Sequence, residues 1–130
     1  MSTTDVEIVD RDQDVAYSLW ALLRWQPGIR VRVRGREEAG APARGRQVAV
    51  YLVSAALDPR EIHRLAELPQ APRVLAYADR RTSDHSHEAL SAGAEGVVWR
   101  YGDAYELGNT IKRLAEGEEL PSRELLQTDH

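Results

Sequence analysis

The sequence predicts an α/β domain built on a parallel β-sheet, and three patterns carry that prediction. Residues 48–53 form a continuously apolar run, which is typical of a central strand covered on both faces. Residues 29–34 alternate an aliphatic residue with an arginine, a period of two that gives a strand one dry face and one wet face. Apolar residues at helical spacing follow the strand-like runs. Such alternation predicts parallel strands joined by right-handed crossovers.

Size and composition narrow the class of protein. With 130 residues, of which 42 % are hydrophobic, the chain is long enough for one compact domain with its own core. It contains no apolar run of roughly 20 residues, and its first residues lack a signal-peptide pattern, so we expect a cytoplasmic protein without a membrane partner. A net charge of −4 argues against general affinity for nucleic acid.

The sequence predicts neither a metal site nor a cofactor. The absence of cysteine excludes disulfides and thiolate ligands. His85 and His87 lie two positions apart on a predicted helix, which turns their side chains about 200° from one another, whereas helical metal-binding pairs use a spacing of four. The glycines match neither a dinucleotide-binding nor a P-loop spacing.

The first half of the chain contains two strands, one helix and a loop before the central strand. A β-rich run at residues 6–9 gives way at Gln13 to helical spacing, and Pro27 with Gly28 ends that helix. The arginine-bearing strand follows. Residues 35–46 contain three glycines and a proline without a large apolar side chain, which predicts a loop.

The second half continues the alternation. Asp58 and Pro59 have the residue types of a helix N-cap and first helical position. The remaining elements are a strand at residues 73–78, a weak helix capped by Ser83 and Asp84 and ended by Gly93, a strand at residues 96–99, and a helix from Asp103, its N-cap, to Glu116.

Four segments resemble the receiver domains of bacterial response regulators, specifically those of NarL/LuxR-type transcription regulators. They are VD at residues 9–10, LWALL at residues 19–23, AGAEGVVWR at residues 92–100, and the helix from Leu107 that ends in AEGE at residues 115–118. The resemblance covers about residues 5–120 and implies a flavodoxin-like (CheY-like) fold, with five parallel strands in the order 2-1-3-4-5. The chain is too short after strand two for the family's second helix, which we expect to be shortened or absent.

The resemblance also implies a site at the carboxyl ends of the strands. In receivers an acidic pair holds Mg²⁺, an aspartate accepts the phosphoryl group, and a hydroxyl and a lysine bind the transferred oxygens. Those positions map onto Asp10 and Arg11 for the acidic pair, Leu52 or Val53 for the acceptor, Ala78 for the hydroxyl and Arg100 for the lysine. Residues 47–57 contain no acid and no histidine. The sequence therefore predicts a pseudo-receiver that lacks the usual phosphoacceptor.

Asp12 and Asp58 are acids near this site. The interpretation that the sequence favours is that both are helix N-caps. A receiver phosphorylated on such a displaced acid is the alternative.

Arginines are concentrated around the second strand. Arg30, Arg32 and Arg34 share its wet face, and Arg36 follows. Without helix two this face is uncovered, and charge there keeps the edge soluble and prevents unwanted strand pairing. A docking surface for an acidic partner, a nucleotide or nucleic acid is the alternative.

Aromatic, polar and basic residues surround the fifth strand and the last helix. They are Trp99, Tyr101, Tyr105, Asn109, Lys112 and Arg113. In receivers this region is a common dimerisation surface, and aromatic residues beside basic groups suit an interface. The alternative is a partly covered aromatic stripe on a monomer.

These observations predict a phosphorylation-independent regulatory domain of transcription regulation or signal transduction, not an enzyme, that acts by protein–protein interaction and homodimerisation. Residues 1–120 are the expected pseudo-receiver, and residues 121–130 a linker. LPSRELL at residues 120–126 resembles the linker to a helix-turn-helix output domain, so we expect part of a longer regulator or a stand-alone partner of one.

The alternative function is that of a sensor for a small anionic or aromatic ligand. Asp10, Arg11 and Arg100 would bind it in the vacated pocket. A third arrangement, in which Asp10 and Arg11 pair with each other and seal the pocket, gives a constitutively locked domain.

Overall fold

The computed structural model describes residues 3–35 and 47–120. Its elements are β1 (Thr4–Val9), α1 (Gln13–Leu23), β2 (Ile29–Val33), β3 (Val50–Ser54), α2 (Pro59–Ala66), β4 (Arg73–Ala78), α3 (Ser86–Ala92), β5 (Val97–Trp99) and α4 (Ala104–Ala115). The strands form one sheet in the order β2-β1-β3-β4-β5, and every neighbouring pair is parallel. The predicted flavodoxin-like fold and strand order are confirmed.

Two apolar layers, one on each side of the sheet, hold the helices in place. Leu19 of α1 and Ile111 of α4 belong to the first layer, and Ile62 of α2 and Ala89 of α3 to the second. All five residues of β3 are buried, as expected for a central strand between two helical layers. This burial explains the unbroken apolar run in its sequence.

The helices begin at the predicted N-cap residues, with one exception. Asp12, Asp58 and Asp103 are the N-caps of α1, α2 and α4, and each carboxylate accepts a hydrogen bond from the backbone N–H two residues later. The prediction that Ser83 and Asp84 cap α3 was wrong. They belong to a 3₁₀ turn that leads into the helix with helical backbone angles, so no extended N-cap position exists there.

Gly93 ends α3 as predicted, and the structure adds a second reason for glycine at this position. Its φ of 128° lies in a region that residues with a side chain rarely adopt. A Cβ atom here would also lie 2.9 Å from the Cβ of Ala66 on α2. Glycine therefore both ends α3 and allows α2 and α3 to approach closely.

The arginine face of β2 is paired with acids of the neighbouring strand β1. Arg32 and Arg34 bind the two carboxylate oxygens of Glu7 at 2.7 and 2.6 Å, and Arg30 lies 3.6 Å from a carboxylate oxygen of Asp5. The parallel register places Asp5 beside Arg30 and Glu7 beside Arg32. This pairing depends on strand register, which the local sequence pattern does not contain.

Several predictions concern residues outside the described ranges. They are the role of Arg36, all but the first residue of the loop predicted at residues 35–46, and the linker at residues 121–130. The family's second helix, which was expected to be shortened or absent, would also fall in that loop. Within residues 3–35 and 47–120, none of the helices is long and apolar enough to cross a membrane.

Candidate functional site

The carboxyl ends of the strands surround an open cleft with a volume of about 210 Å³. Its lining comes from the carboxyl ends of β3 and β4, from the segments that follow β1, β3 and β4, and from one residue of α1. Such a position is usual for sites in open parallel sheets. The lining residues are Asp10, Arg11, Asp12, Val15, Ser54, Ala56, Leu57, Tyr77, Asp79, Arg81 and Thr82. The volume is below the roughly 300 Å³ at which pockets for drug-sized molecules begin.

Only the acidic-pair positions of the sequence-based site, Asp10 and Arg11, line this cleft. Val53 and Ala78 are fully buried in the apolar layer beneath α2 and α3. The residues that follow them, Ser54 and Asp79, line the cleft instead. Consecutive strand residues point to opposite faces, so an offset of one residue decides which side chain reaches the cleft.

Asp10 is bound to Tyr77 and not to its neighbour Arg11. One carboxylate oxygen of Asp10 accepts a hydrogen bond from the Tyr77 O–H at 2.6 Å, and the other accepts the backbone N–H of Asp12 at 2.9 Å. Burial raises the pKa of Tyr77 well above its ordinary value, and the negative charge of Asp10 raises it further. Arg11 is exposed and forms no ion pair with a described residue. The predicted Asp10–Arg11 pair that seals the pocket is therefore not formed.

Asp79 is a buried acid at the edge of the cleft. One carboxylate oxygen accepts the backbone N–H groups of Arg81 and Thr82 at 2.9 and 3.0 Å and the Thr82 hydroxyl at 3.0 Å. Burial by itself would raise the pKa of Asp79, but these hydrogen bonds outweigh it and hold the pKa below its ordinary value. The Asp79 carboxylate is therefore the form that the fold stabilises.

Arg100 does not line the cleft, because it is held on the far side of Asp79. Its guanidinium lies 3.6 Å from the second carboxylate oxygen of Asp79 and donates to the Tyr101 hydroxyl at 2.9 Å. The same guanidinium lies 4.8 Å from the centre of the Tyr101 ring. Arg100 thus joins the edge of the cleft to an exposed tyrosine.

The cleft does not fit the magnesium site that the receiver resemblance implies. Mg²⁺ prefers several oxygen ligands in octahedral geometry. Arg11 occupies the second acidic position, and both carboxylate oxygens of Asp10 already accept hydrogen bonds. In the part of the chain that the structure describes, no three acids or histidines are grouped as metal ligands.

Sequence reasoning missed Ser54, Tyr77, Asp79 and Arg81 as cleft residues. The position of Asp79, directly after a buried strand, was a usable signal, because the carboxyl ends of parallel strands meet at one edge of the sheet. No comparable signal marks Tyr77, which lies within a strand and contacts an aspartate 67 residues away in the sequence.

The predicted interface contains three aromatic residues, Trp99, Tyr101 and Tyr105, which we call the aromatic patch. Tyr101 and Tyr105 are 64 % and 62 % exposed, whereas Trp99 is half-buried against the α2 and α3 layer. The rings of Trp99 and Tyr101 meet edge to face, with 6.4 Å between their centres. The patch therefore consists of one half-buried ring and two exposed rings.

The remaining predicted interface residues lie further along α4, and two of them have partners within the chain. Lys112 donates to the carbonyl oxygen of Pro27 at 3.1 Å. Arg113 binds a carboxylate oxygen of Glu118 at 3.0 Å. Asn109 is half-buried.

Solved structures with high similarity to this one are response regulators and their receiver domains. ChrA, the response regulator of a heme-sensing two-component system, is 19 % identical, with a TM-score of 0.72 over 99 % of this chain and 67 % of its own. The receiver domain of the putative response regulator NarL from Mycobacterium tuberculosis is 17 % identical, with a TM-score of 0.69 over 91 % and 100 % of the two chains. A LuxR-family two-component response regulator from Aurantimonas sp. SI85-9A1 is 23 % identical, with a TM-score of 0.72 over 97 % and 94 %.

This chain has the receiver-domain fold. No protein-family model and no curated protein sequence matches it. In the receiver fold the cleft lies where the resemblance places the phosphorylation site, and β3 ends there in Ser54.

Proposed function

We propose that this chain is a regulatory receiver-like domain that acts by protein–protein interaction and does not depend on aspartyl phosphorylation. The observation that carries the proposal is Ser54. It ends β3 and lines the cleft, and residues 47–57 contain no acid. A serine hydroxyl cannot form the acyl phosphate that a carboxylate nucleophile forms.

The acids near the cleft have structural roles that support this proposal. Asp12 caps α1 and Asp58 caps α2, and Asp58 also binds Arg60 at 3.1 Å. Asp79 is held by hydrogen bonds and by Arg100. Phosphorylation of Asp58 or Asp79 would have to break one of these arrangements, whereas Asp12 caps α1 through one oxygen only.

The test is incubation with acetyl phosphate and Mg²⁺, followed by intact-protein mass spectrometry, with a NarL-type receiver as positive control. We expect a phosphoryl adduct on the control and none on this chain. An adduct that disappears in Asp12→Asn, Asp58→Asn or Asp79→Asn would contradict the proposal and identify the displaced acceptor.

We further propose that the domain forms a homodimer through the aromatic patch. Exposed aromatic rings beside a guanidinium are typical of interface cores, and Arg100 holds Tyr101 in place. An output domain that binds DNA, in the same protein or in a partner, fits the linker-like segment at residues 120–126.

Native mass spectrometry over a range of concentrations tests the dimer. We expect the wild type to dimerise and the double variant Tyr101→Ser, Tyr105→Ser to remain monomeric. Trp25→Ser is the matched control, because Trp25 is 75 % exposed at the other end of the helical layer. A wild type that is monomeric at every concentration would contradict homodimerisation, and loss of the dimer in the Trp25 variant alone would assign the interface to α1.

Ligand sensing is the second candidate function, and the open cleft favours it. Arg11 and Arg81 line the cleft, and neither guanidinium is bound by a described residue. The sequence-based hypothesis included Arg100 among the ligand-binding residues. Arg100 does not line the cleft, because it is bound by Asp79 and Tyr101.

A further inference from the structure

Two of the three carboxylates that line the cleft, those of Asp10 and Asp79, have partners on both oxygens. Both oxygens of Asp10 accept hydrogen bonds. Asp12 accepts the backbone N–H groups of Asp14 and Val15 on one oxygen as the cap of α1, and its other oxygen has no partner in the described ranges. Asp79 accepts three hydrogen bonds on one oxygen and faces Arg100 with the other.

The lining also contains hydrogen-bond donors that remain uncommitted. The guanidinium groups of Arg11 and Arg81 have no hydrogen bond or ion pair with a residue in the described ranges. The Ser54 oxygen accepts the backbone N–H of Ala56 at 3.1 Å, which leaves its O–H available to donate. Two guanidinium groups and a hydroxyl that are free to donate suit a ligand with charged acceptor oxygens.

The charges around the cleft favour a singly charged ligand over a phosphate dianion. Three carboxylates, those of Asp10, Asp12 and Asp79, line it together with two guanidinium groups, and Arg100 lies behind Asp79. Asp58 also lies close enough to Arg11 for the two charges to interact. Because the acids at least balance the three bases, no strong positive field attracts a dianion. A carboxylate can accept a bidentate hydrogen bond from arginine and brings only one charge near the acids.

The lining also has an apolar wall. Val15, Ala56 and Leu57 contribute it, next to the donors. At about 210 Å³ the cleft has room for a small molecule only. The ligand is therefore expected to carry a short apolar group beside its acidic group.

We propose that the cleft binds a small organic monocarboxylate, whose carboxylate is held by Arg11, Arg81 and the Ser54 hydroxyl and whose apolar part contacts Val15 and Leu57. This inference rests on the ligand-sensing candidate above and names its ligand class.

The test is an NMR titration of the full chain with benzoate, phenylacetate and acetate. Benzamide serves as the neutral analogue, and inorganic phosphate as the anion without an apolar group. We expect saturable shifts of the Ser54 and Arg81 amide signals with the aromatic carboxylates, weaker shifts with acetate, and none with benzamide.

Equal shifts with benzoate and benzamide would show that charge is not recognised and would overturn the proposal. So would binding of phosphate alone, or no response to any carboxylate at millimolar concentration.

Arg81→Met and Arg80→Met provide a matched pair of variants. Arg81 lines the cleft, whereas its exposed neighbour Arg80 does not. We expect Arg81→Met to weaken benzoate binding at least about tenfold, because a charge-assisted hydrogen bond is lost, and Arg80→Met to leave it unchanged. Equal effects in the two variants would refute the assignment of Arg81.

The acetyl phosphate test is independent of this titration, so failure of the ligand proposal leaves phosphorylation independence standing.

Discussion

At the residue scale, Tyr77 links two strands that are not neighbours. β3 lies between β1 and β4, yet the Tyr77 hydroxyl reaches Asp10 beyond the end of β1. The ring is buried in the layer beneath α1 and α4. A buried hydroxyl without a partner is costly, and Asp10 supplies that partner. The same hydrogen bond occupies a carboxylate oxygen of Asp10 that a metal ion would need as a ligand.

We expect Tyr77→Phe to destabilise the fold by about 1–2 kcal/mol, because it removes a hydrogen bond to a charged group at a partly hydrated site. Urea unfolding measures the change, and Tyr101→Phe is the exposed control.

The raised pKa of Tyr77 adds a pH dependence. Its stabilising contribution is complete below the ordinary tyrosine pKa of 10.0 and is lost as pH rises above it, because the unfolded chain then releases a proton that the native state retains. Tyr77→Phe should lose less stability than the wild type over that range. Tyr51 accounts for part of the remaining loss, since burial and the charge of Glu7 raise its pKa as well. Identical alkaline profiles in the two proteins would contradict this account.

At the element scale, one guanidinium ties the start of β4 to the end of α4. Arg73 forms a bidentate ion pair with Glu95 and donates to the carbonyl oxygens of Leu114 at 2.9 Å and Glu118 at 3.1 Å. The last carbonyls of a helix lack partners within it, and a cation near them also interacts favourably with the helix dipole. Arg73 therefore fixes the point at which the chain leaves α4.

We expect Arg73→Met to destabilise the fold by about 2–4 kcal/mol, because Glu95 and two carbonyl oxygens lose their partner. Arg113→Met is the matched control, since its exposed pair with Glu118 should contribute less than about 1 kcal/mol. Denaturant unfolding gives the free energies, and hydrogen exchange at residues 114–118 should accelerate only in the Arg73 variant. Equal losses in both variants would show that Arg73 does not hold α4.

At the scale of the whole molecule, the β1–β2 side of the sheet carries ion pairs in place of an apolar surface. Glu7 is buried between Arg32 and Arg34, whose side chains are 44 % and 46 % exposed. Arg34 also lies 5.7 Å from the centre of the Tyr51 ring on β3. Two acids thus neutralise part of the charge of the three arginines across the strands. Recognition of an acidic partner by these arginines stays a prediction.

We expect Glu7→Ala to destabilise the fold by about 1–2 kcal/mol, because two neighbouring guanidinium groups would lose their shared carboxylate while remaining partly solvated. Asp5→Ala should cost less than about 1 kcal/mol, because its pair with the half-exposed Arg30 is long. Urea unfolding at low and high salt measures both. Added salt should recover part of the loss in the Glu7 variant by screening the repulsion between the arginines. A loss unaffected by salt would point to a packing defect instead.

The sequence by itself determined the elements, their order and most of their ends. Apolar periodicity, the three aspartate caps and Gly93 act over a few residues, so they can be read without the fold. The candidate site was predictable only as a region, the carboxyl edge of the sheet, with Asp10 and Arg11 in it.

The tertiary structure alone decided which side chains meet there. Side-chain direction reverses at every strand residue, so an error of one position exchanged Val53 for Ser54 and Ala78 for Asp79. Contacts such as Tyr77 with Asp10, 67 residues apart, depend on strand order and register, which local patterns do not contain. Local physics thus specified the fold, whereas the chemistry of the cleft arose from the juxtaposition of distant segments.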